Sequence, residues 1–594
     1  MIEKNISKND YLIFAVFSSI WVFLGLIACL SAIGGFFYSW IFGGFLLLMI
    51  FTIIRQVFLK KISLNISHEF IIASIAIFIF VLVSSYFVTP TIFGGRDQGA
   101  ISEATIRLSQ NHKLEFSTPA SNEFFEIYGP GKALNFPGFY YNSSGELITQ
   151  FPIAYISWLA IFYSFFGLTG LIVANAVLLF LFLASFYLLA RSLVETKYSA
   201  IILILTATSF PIFWFFKFTL SENMALALLW LSILWLFLFI REQRLFYYFS
   251  FLFSAGLLVF TRIEGIFFLI AGFLTIFFFT GKNIIWKRKR KLILAYPAIF
   301  FAILLVLNFA KDIYFYKEMA KAFLHIRQDQ ASASSVFDGF FSPAIFEFQV
   351  LYLYGIISSL LLGILGTIYF WIKKQWKNLI PFFVIFPSFI YLINPWISSD
   401  HPWMLRRFVF SVVPGMIFYA ILFLAKWNGE KKMRYKIMAS YFVIISILLL
   451  NLFIFANYFP FSENKNLLKQ TQAISENFGG NDLILIDKSA SGDGFSMLGG
   501  PMNFLYEKNS VYFFNIKDLE KIDQEKFSKI YLVTSDQNAI MYEDIIGTGK
   551  ILSSKDYSVE TQRLSGSRDK ENIVLQEKLS VKVSGKILEL RITN

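Results

Sequence analysis

Hydrophobic positions in this chain come in long unbroken runs, not in the short alternations of a soluble core. About 20 helical residues cross a hydrocarbon core, so each run reads as a membrane span. The runs lie at Tyr11–Ser31, Phe36–Phe58, Phe70–Val88, Leu168–Ala190, Ala200–Phe216, Glu222–Ile240, Phe246–Phe260, Gly265–Thr280, Leu292–Phe309, Glu347–Trp371, Leu379–Ile393, Phe408–Ala425 and Ile437–Ala456, thirteen in all. The block from Pro152 to Ala190 is too long for one span and too short for two with a loop. Reading Pro152–Phe166 as a shallow outer helix and Leu168–Ala190 as a single crossing keeps the later basic loops, including Lys282–Lys291, on the inner side. Lys4 and Lys8 before the first span, and Arg55, Lys60 and Lys61 after the second, place the N-terminus in the cytoplasm and the C-terminus outside.

Between the spans lie two long outer loops, Thr89–Phe151 and Lys311–Pro343. The first carries a helical pattern at Ile101–Gln110 and a hairpin signal at Asn142–Gly145. The second has a serine-rich tip, Ala331–Ser335. Beyond Phe459 the pattern changes to that of a soluble domain, with buried strands predicted at Asp482–Asp487, Ser510–Asn515 and Lys529–Ser535 and alternating strands over Ile573–Ile592. The predicted fold is thus a polytopic α-helical membrane protein with a C-terminal extracytoplasmic α/β domain. It divides into a transmembrane hairpin (1–69), a transmembrane domain with its outer loop at 89–151 (70–459) and the outer domain (460–594).

Composition agrees: 57% hydrophobic residues, 15% charged and a mean hydropathy of +0.62. The 74 phenylalanines suit lipid-facing and helix-packing surface. A formal charge of +13 is what basic inner loops produce, so nucleic-acid binding has no support. Cys29 is the only cysteine; it excludes an internal disulfide and lies in a first span that reads as a retained anchor.

Ionisable groups near hydrocarbon are retained mainly where they are paired or functional, so candidate chemistry lies at the outer ends of spans. Gly94-Gly95-Arg96-Asp97 reads either as a solvated turn or as a catalytic carboxylate at a membrane exit. Asp400-His401 leads to Arg406 and Arg407, two arginines that break the positive-inside tendency and oppose a helix dipole unless an anion lies between them. A lipid-linked phosphate fits the guanidinium fork, and snorkelling to head groups is the plain alternative. Lys217 and Glu222 bracket a span start that also reads as an ordinary cap; Arg262 and Glu264 read as a tight turn with a local ion pair. Glu103 and Arg107 read as a helix-stabilising pair, and Gln150-Phe151-Pro152 as a helix start. The outer domain shows no dense cluster of histidine, cysteine or carboxylate and reads as recognition or scaffold.

A carboxylate in the first large outer loop, a Phe-Pro-led shallow helix closing that loop and an acidic residue opening a later span together resemble the GT-C glycosyltransferase superfamily. Over roughly residues 70 to 460 the chain is similar to its aminoarabinose transferase, protein O-mannosyltransferase and RgtA/B/C/D-like groups. The resemblance implies transfer of a sugar from a polyprenyl-phosphate donor to a cell-envelope glycan, lipid or protein at the outer membrane face, with inversion. It implies catalytic roles for Asp97 and Glu222, with Arg96, Lys217, Arg262, Glu264, His401, Arg406 and Arg407 around the substrates. The aminoarabinose transferases close the loop with Lys-Pro; here Phe151 precedes Pro152, which moves the phosphate contact to Lys217, Arg406 or Arg407. No cofactor is required, while a divalent metal held by Asp97 and Glu222 stays open. The rival class is a transporter or flippase of a lipid-linked saccharide, against which stand the lack of an internal repeat and of evident broken helices. A structural assembly protein would leave Asp97 and the arginines without a role.

Overall fold

A computed structural model of the chain describes residues 8–59, 66–93, 97–285, 295–296, 299–304, 306, 336–393, 400–430, 434–492, 497–547, 550–566 and 573–591. Arg96, half of the predicted span Leu292–Phe309, most of the basic 282–291 stretch and the serine-rich tip fall outside the described residues.

Three helices lead: α1 (Lys8–Gly34), α2 (Ser39–Phe58) and α3 (His68–Tyr86). Asp10 at the start of α1 accepts from the backbone N–H (2.9 Å) and hydroxyl (2.6 Å) of Ser67, the N-cap of α3, which fixes how the two helices enter together. The first outer loop then folds as α4 (Asp97–Asn111), α5 (Pro119–Tyr128) and an antiparallel sheet of β1 (Gly131–Lys132), β2 (Phe139–Tyr141) and β3 (Leu147–Thr149). The β2–β3 hairpin turns at Asn142–Gly145 as expected, with Gly145 at φ +85°.

The Pro152–Ala190 block divides into α6 (Ile153–Phe166) and α7 (Leu168–Arg191) at Gly167, whose φ of +58° ends one helix and opens the next. There follow α8 (Thr196–Ala207), α9 (Phe210–Phe215), α10 (Ser221–Glu242), α11 (Leu245–Val259) and α12 (Gly265–Ile285). Helix α10 is apolar on all sides because it is the axis of the bundle, buried from Glu222 to Phe239 between α7, α11 and α12.

Three predicted spans depart from straight helices. Glu347–Trp371 breaks into α13 (Val336–Leu353) and α14 (Ile357–Ile372), bent by 112° at Gly355, which takes φ +73°. Leu379–Ile393 is α15 (Ile380–Ile385) between two 3₁₀ stretches, with prolines at 381 and 387. Phe408–Ala425 is split between α16 (Arg406–Val409) and α17 (Val412–Glu430), with a bend of 57° where the stretch beginning at Trp403 meets the second helix. Gly363 and Gly366 let α14 lie so close to α17 that a Cβ would come within 2.5 and 2.6 Å of the carbonyl oxygens of Met416 and Tyr419. Helix α18 (Arg434–Tyr458) completes the membrane part. Among the described residues six helices are long and apolar enough to cross a membrane, or eight if each bent pair is one span, so thirteen is not recovered on length and composition alone.

The C-terminal domain holds α19 (Leu467–Ser475), β4 (Leu483–Asp487), α20 (Gly499–Phe504), β5 (Asn509–Phe513), β6 (Ile530–Ser535), α21 (Asp536–Ile546), β7 (Ile551–Leu564) and β8 (Lys578–Leu590). Its sheet runs β5-β4-β6-β8-β7, with β4 parallel to both neighbours and the β7–β8 hairpin added antiparallel. The domain is fastened to the first outer loop. Asn135 exchanges two bonds with the backbone of Tyr512 (3.1 and 2.7 Å), and Glu123 accepts from the Asp523 N–H (2.7 Å) and pairs with Lys526 (2.9 Å). The outer loop thereby covers the β5 edge of the sheet.

Candidate functional site

Three carboxylates stand where helices begin. Asp97 opens α4, Glu222 is the second residue of α10, and Glu264 directly precedes α12. A negative group is favoured at each of these positive dipole ends, and the three ends converge on three arginines. Arg262 comes from the turn between α11 and α12, and Arg406 and Arg407 from α16. Arg262 reaches Glu222 (2.7 Å) with one terminal nitrogen and Glu264 (2.7 Å) with the other, while its Nε–H donates to Glu264 (3.2 Å). Arg406 donates to Asp97 at 2.5 Å and lies 3.9 Å from Glu222; Arg407 donates to Glu264 at 3.4 Å.

Burial makes these contacts matter. The side chains of Glu222 and Arg262 are 4% and 7% exposed, whereas Asp97 is 40% exposed. Burial raises the Glu264 carboxyl, but the charge and hydrogen bond of Arg262 outweigh it and bring the group down to about 2. Burial likewise opposes the Arg262 cation, and the two carboxylates more than restore it. Tyr391 donates its hydroxyl to Glu264 and offers its ring to Arg407, whose Cζ lies 5.8 Å from the centroid. The local Arg262–Glu264 pair expected from sequence is present, but it is the middle of a larger cluster and not an isolated turn.

The two nearest helix starts are held together by buried hydroxyls. Thr219, just before α10, has its Oγ1 within 2.7 Å of Thr91 Oγ1, 2.8 Å of Ser102 Oγ and 2.8 Å of the Gln98 carbonyl in the first turns of α4. Ser102 in turn donates to the carbonyls of Thr91 and Gln98, both at 2.8 Å. This knot sets Asp97 against Glu222. Thr219→Val is expected to lower the melting point of the detergent-solubilised protein, because it removes a buried hydrogen bond worth about 1–2 kcal/mol without removing a charge. Thr219→Ser should restore it, and thermal unfolding of the two variants checks this.

The Phe-Pro-led helix has a structural task here. The Ala154 N–H at the start of α6 donates to the Phe260 carbonyl (3.0 Å), which steadies the turn carrying Arg262. Tyr155 on the same helix bonds Asn175 (2.7 Å), which donates to Phe218 O (2.9 Å) beside Thr219.

Not every predicted site residue joins the cluster. Lys217 donates to the carbonyls of Tyr458 (3.3 Å), Phe459 (2.6 Å) and Phe461 (2.7 Å), so it closes the C-terminal end of α18. Its ammonium is thereby turned to main-chain acceptors, which accounts for a buried lysine without a phosphate. His401 is buried against Tyr354 and Gln576, its ring nitrogens 3.1 and 3.2 Å from the Gln576 amide nitrogen, and burial lowers its pKa. It thus links the membrane domain to the outer one. Arg107 turns away from Glu103 to Asn503 of the outer domain and to the Phe116 ring, 5.0 Å from its centroid. Burial, partly opposed by Arg107, raises the Glu103 carboxyl to about 7. Among the described residues no three histidine, cysteine or acidic side chains gather in a metal-sized group, and Arg406 lies between Asp97 and Glu222, the pair considered for a divalent ion. Tyr391, Thr91, Ser102 and Thr219 were not singled out by sequence; an aromatic or hydroxyl residue in an apolar run carries no signal of its own.

No family model and no curated protein matches the sequence. Among solved structures the chain is similar to ArnT from Cupriavidus metallidurans bound to undecaprenyl phosphate, with 11% identity, a TM-score of 0.50, and 87% of this chain and 98% of that one covered. The fold is that of this ArnT structure. ArnT from the same organism in the apo state is also similar, with 12% identity, a TM-score of 0.49, and 86% and 97% covered. This fold and the long apolar helices are those of an integral membrane protein.

Proposed function

We propose that the chain is a membrane glycosyltransferase that moves a sugar from a polyprenyl-phosphate donor to a cell-envelope acceptor at the outer face, with inversion. The observation that carries this reading is the meeting of a half-exposed carboxylate, Asp97, with Arg406, beside the Arg407–Glu264 pair, at the mouths of three helices in an ArnT-like fold. Asp97 takes the proton of the acceptor hydroxyl as that oxygen bonds to the anomeric carbon from the face opposite the phosphate. The bond from that carbon to the phosphate oxygen breaks, and its electron pair stays on the phosphate, where Arg406 and Arg407 stabilise the growing charge. Glu222 and Glu264 hold Arg262 and the two site arginines in place. The neighbour's undecaprenyl phosphate supports a ligand of this class here. The acceptor is a hydroxyl-bearing glycan, lipid or protein.

A second reading, transport of a lipid-linked saccharide, gains from two features. Among the described residues the membrane domain contains two bent helix pairs, contrary to the sequence expectation, and Glu347 on the first arm of the sharper one is buried with no hydrogen-bond partner there for either carboxylate oxygen. The two readings part in one experiment. Purified protein is given a polyprenyl-phosphate sugar labelled in the sugar, together with envelope extract. Label released from the lipid and recovered on a larger product supports transfer; label that stays on the lipid while changing leaflet in vesicles supports transport.

A further inference from the structure

Taken in spatial order the site reads Asp97, Arg406, Glu222, Arg262, Glu264, Arg407, alternating in sign, with successive separations of 2.5, 3.9, 2.7, 2.7 and 3.4 Å. Three carboxylates face three guanidiniums, so within this cluster each positive charge is already matched. A phosphate that enters it gains full benefit only by exchanging with a carboxylate. The chain of contacts says which one. Glu222 and Glu264 grip Arg262 from both sides in a nearly dry setting, and withdrawing either would strand a buried charge. Asp97 is the end member, has Arg406 as its only cluster partner among the described residues, and is 40% exposed, so it returns to water at small cost. The Nε–H groups of Arg406 and Arg407 are both buried without a hydrogen-bond acceptor among the described residues. Those are donors that an anion seated beside the two arginines can satisfy.

We infer that the donor phosphate and Asp97 compete for Arg406, so that the carboxylate is released as a base only once the phosphate has taken its place. This rests on the lipid-phosphate reading of the site. The exchange orders the reaction. Without donor, Asp97 is clamped to the guanidinium at 2.5 Å and is not turned to an acceptor. With donor, Arg406 neutralises the leaving group, and Asp97, no longer held by it, turns to the acceptor. After transfer the departing phosphate returns Arg406 to Asp97.

The test is equilibrium binding of undecaprenyl phosphate to the purified full-length chain in detergent, for the wild type, Asp97→Asn, Asp97→Ala and Arg407→Ala. Competition requires that removing the carboxylate charge tighten binding, by up to about fivefold for a partly exposed ion pair. Asp97→Ala should show the same tightening without an amide left to bond Arg406. Arg407→Ala should weaken binding. Affinity that is unchanged or weaker in both Asp97 variants, with Arg407→Ala still weaker than the wild type, overturns the competition and leaves the phosphate site standing. No saturable binding by the wild type, or none of it lost in Arg407→Ala, removes the phosphate reading and the competition with it.

Discussion

Asp97→Asn lowers the rate of sugar transfer by about 10²–10⁴-fold, the range a positioned general base supplies. The amide keeps the shape of the side chain and can still accept one bond from Arg406, so folding and membrane insertion stay as in the wild type. What is lost is the group that takes the acceptor proton. The kinetic pattern separates this from a structural defect. Turnover collapses while KM for the donor does not rise, because the phosphate contacts to Arg406 and Arg407 remain. Single-turnover transfer with the purified variant measures it, and transfer at the wild-type rate would remove Asp97 from the chemistry.

Arg262→Leu is expected to cost the fold about 3–5 kcal/mol, the largest stability effect in the membrane domain. Arg262 is the sole described cation touching both Glu222 and Glu264 below 3 Å, and its guanidinium also lies over the Phe410 ring, 5.0 Å from the centroid. Leucine fills much of the space but leaves two carboxylates facing each other in a dry site. Arg406 and Arg407, at 3.9 and 3.4 Å from those acids, replace only part of the attraction. Thermal unfolding of the detergent-solubilised variant reads the loss directly. Adding Glu264→Gln to Arg262→Leu should recover part of it by removing one of the stranded charges, and a melting point equal to that of the wild type in the single variant would show that the cluster is not held by this arginine.

Which parts of this protein were readable in the sequence follows from how far each signal reaches along the chain. The strands β4, β5 and β6 announced themselves as short apolar runs because all three are buried, β4 and β6 inside the sheet and β5 at its covered edge. The strand β7 did not. Its first half, Leu552–Asp556, is exposed throughout, and only its second half alternates, so polar composition hid a 14-residue edge strand. The turn at Asn142–Gly145 was legible since its residues are chosen by its own backbone. The bend at Gly355 was not, as one glycine in a long apolar run is compatible with a straight helix. In the site, Asp97, Glu222, Glu264 and the arginines stood out as charges in apolar surroundings. Their order in space could not be read, because Asp97 and Arg406 are joined only when α4 and α16 meet. Lys217 shows the converse error. A cation at a span end suggests an anion, but three carbonyls at the end of a distant helix satisfy it equally well.

The fastening of the outer loop has a bearing on biogenesis. Arg107 meets Asn503, Asn135 meets Tyr512 and Glu123 meets Asp523, partners 396, 377 and 400 residues apart. The segment bearing Asp97 leaves the ribosome long before anything exists to hold its far side. Contacts of such sequence separation form late and slowly. The hairpin of the first outer loop therefore waits, with the partners of Glu123 and Asn135 still to be made, until the last quarter of the chain has been synthesised and folded. Fastening of this loop is a late event of assembly, and a chain cut short before Asn503 would lack the partners of Arg107, Asn135 and Glu123.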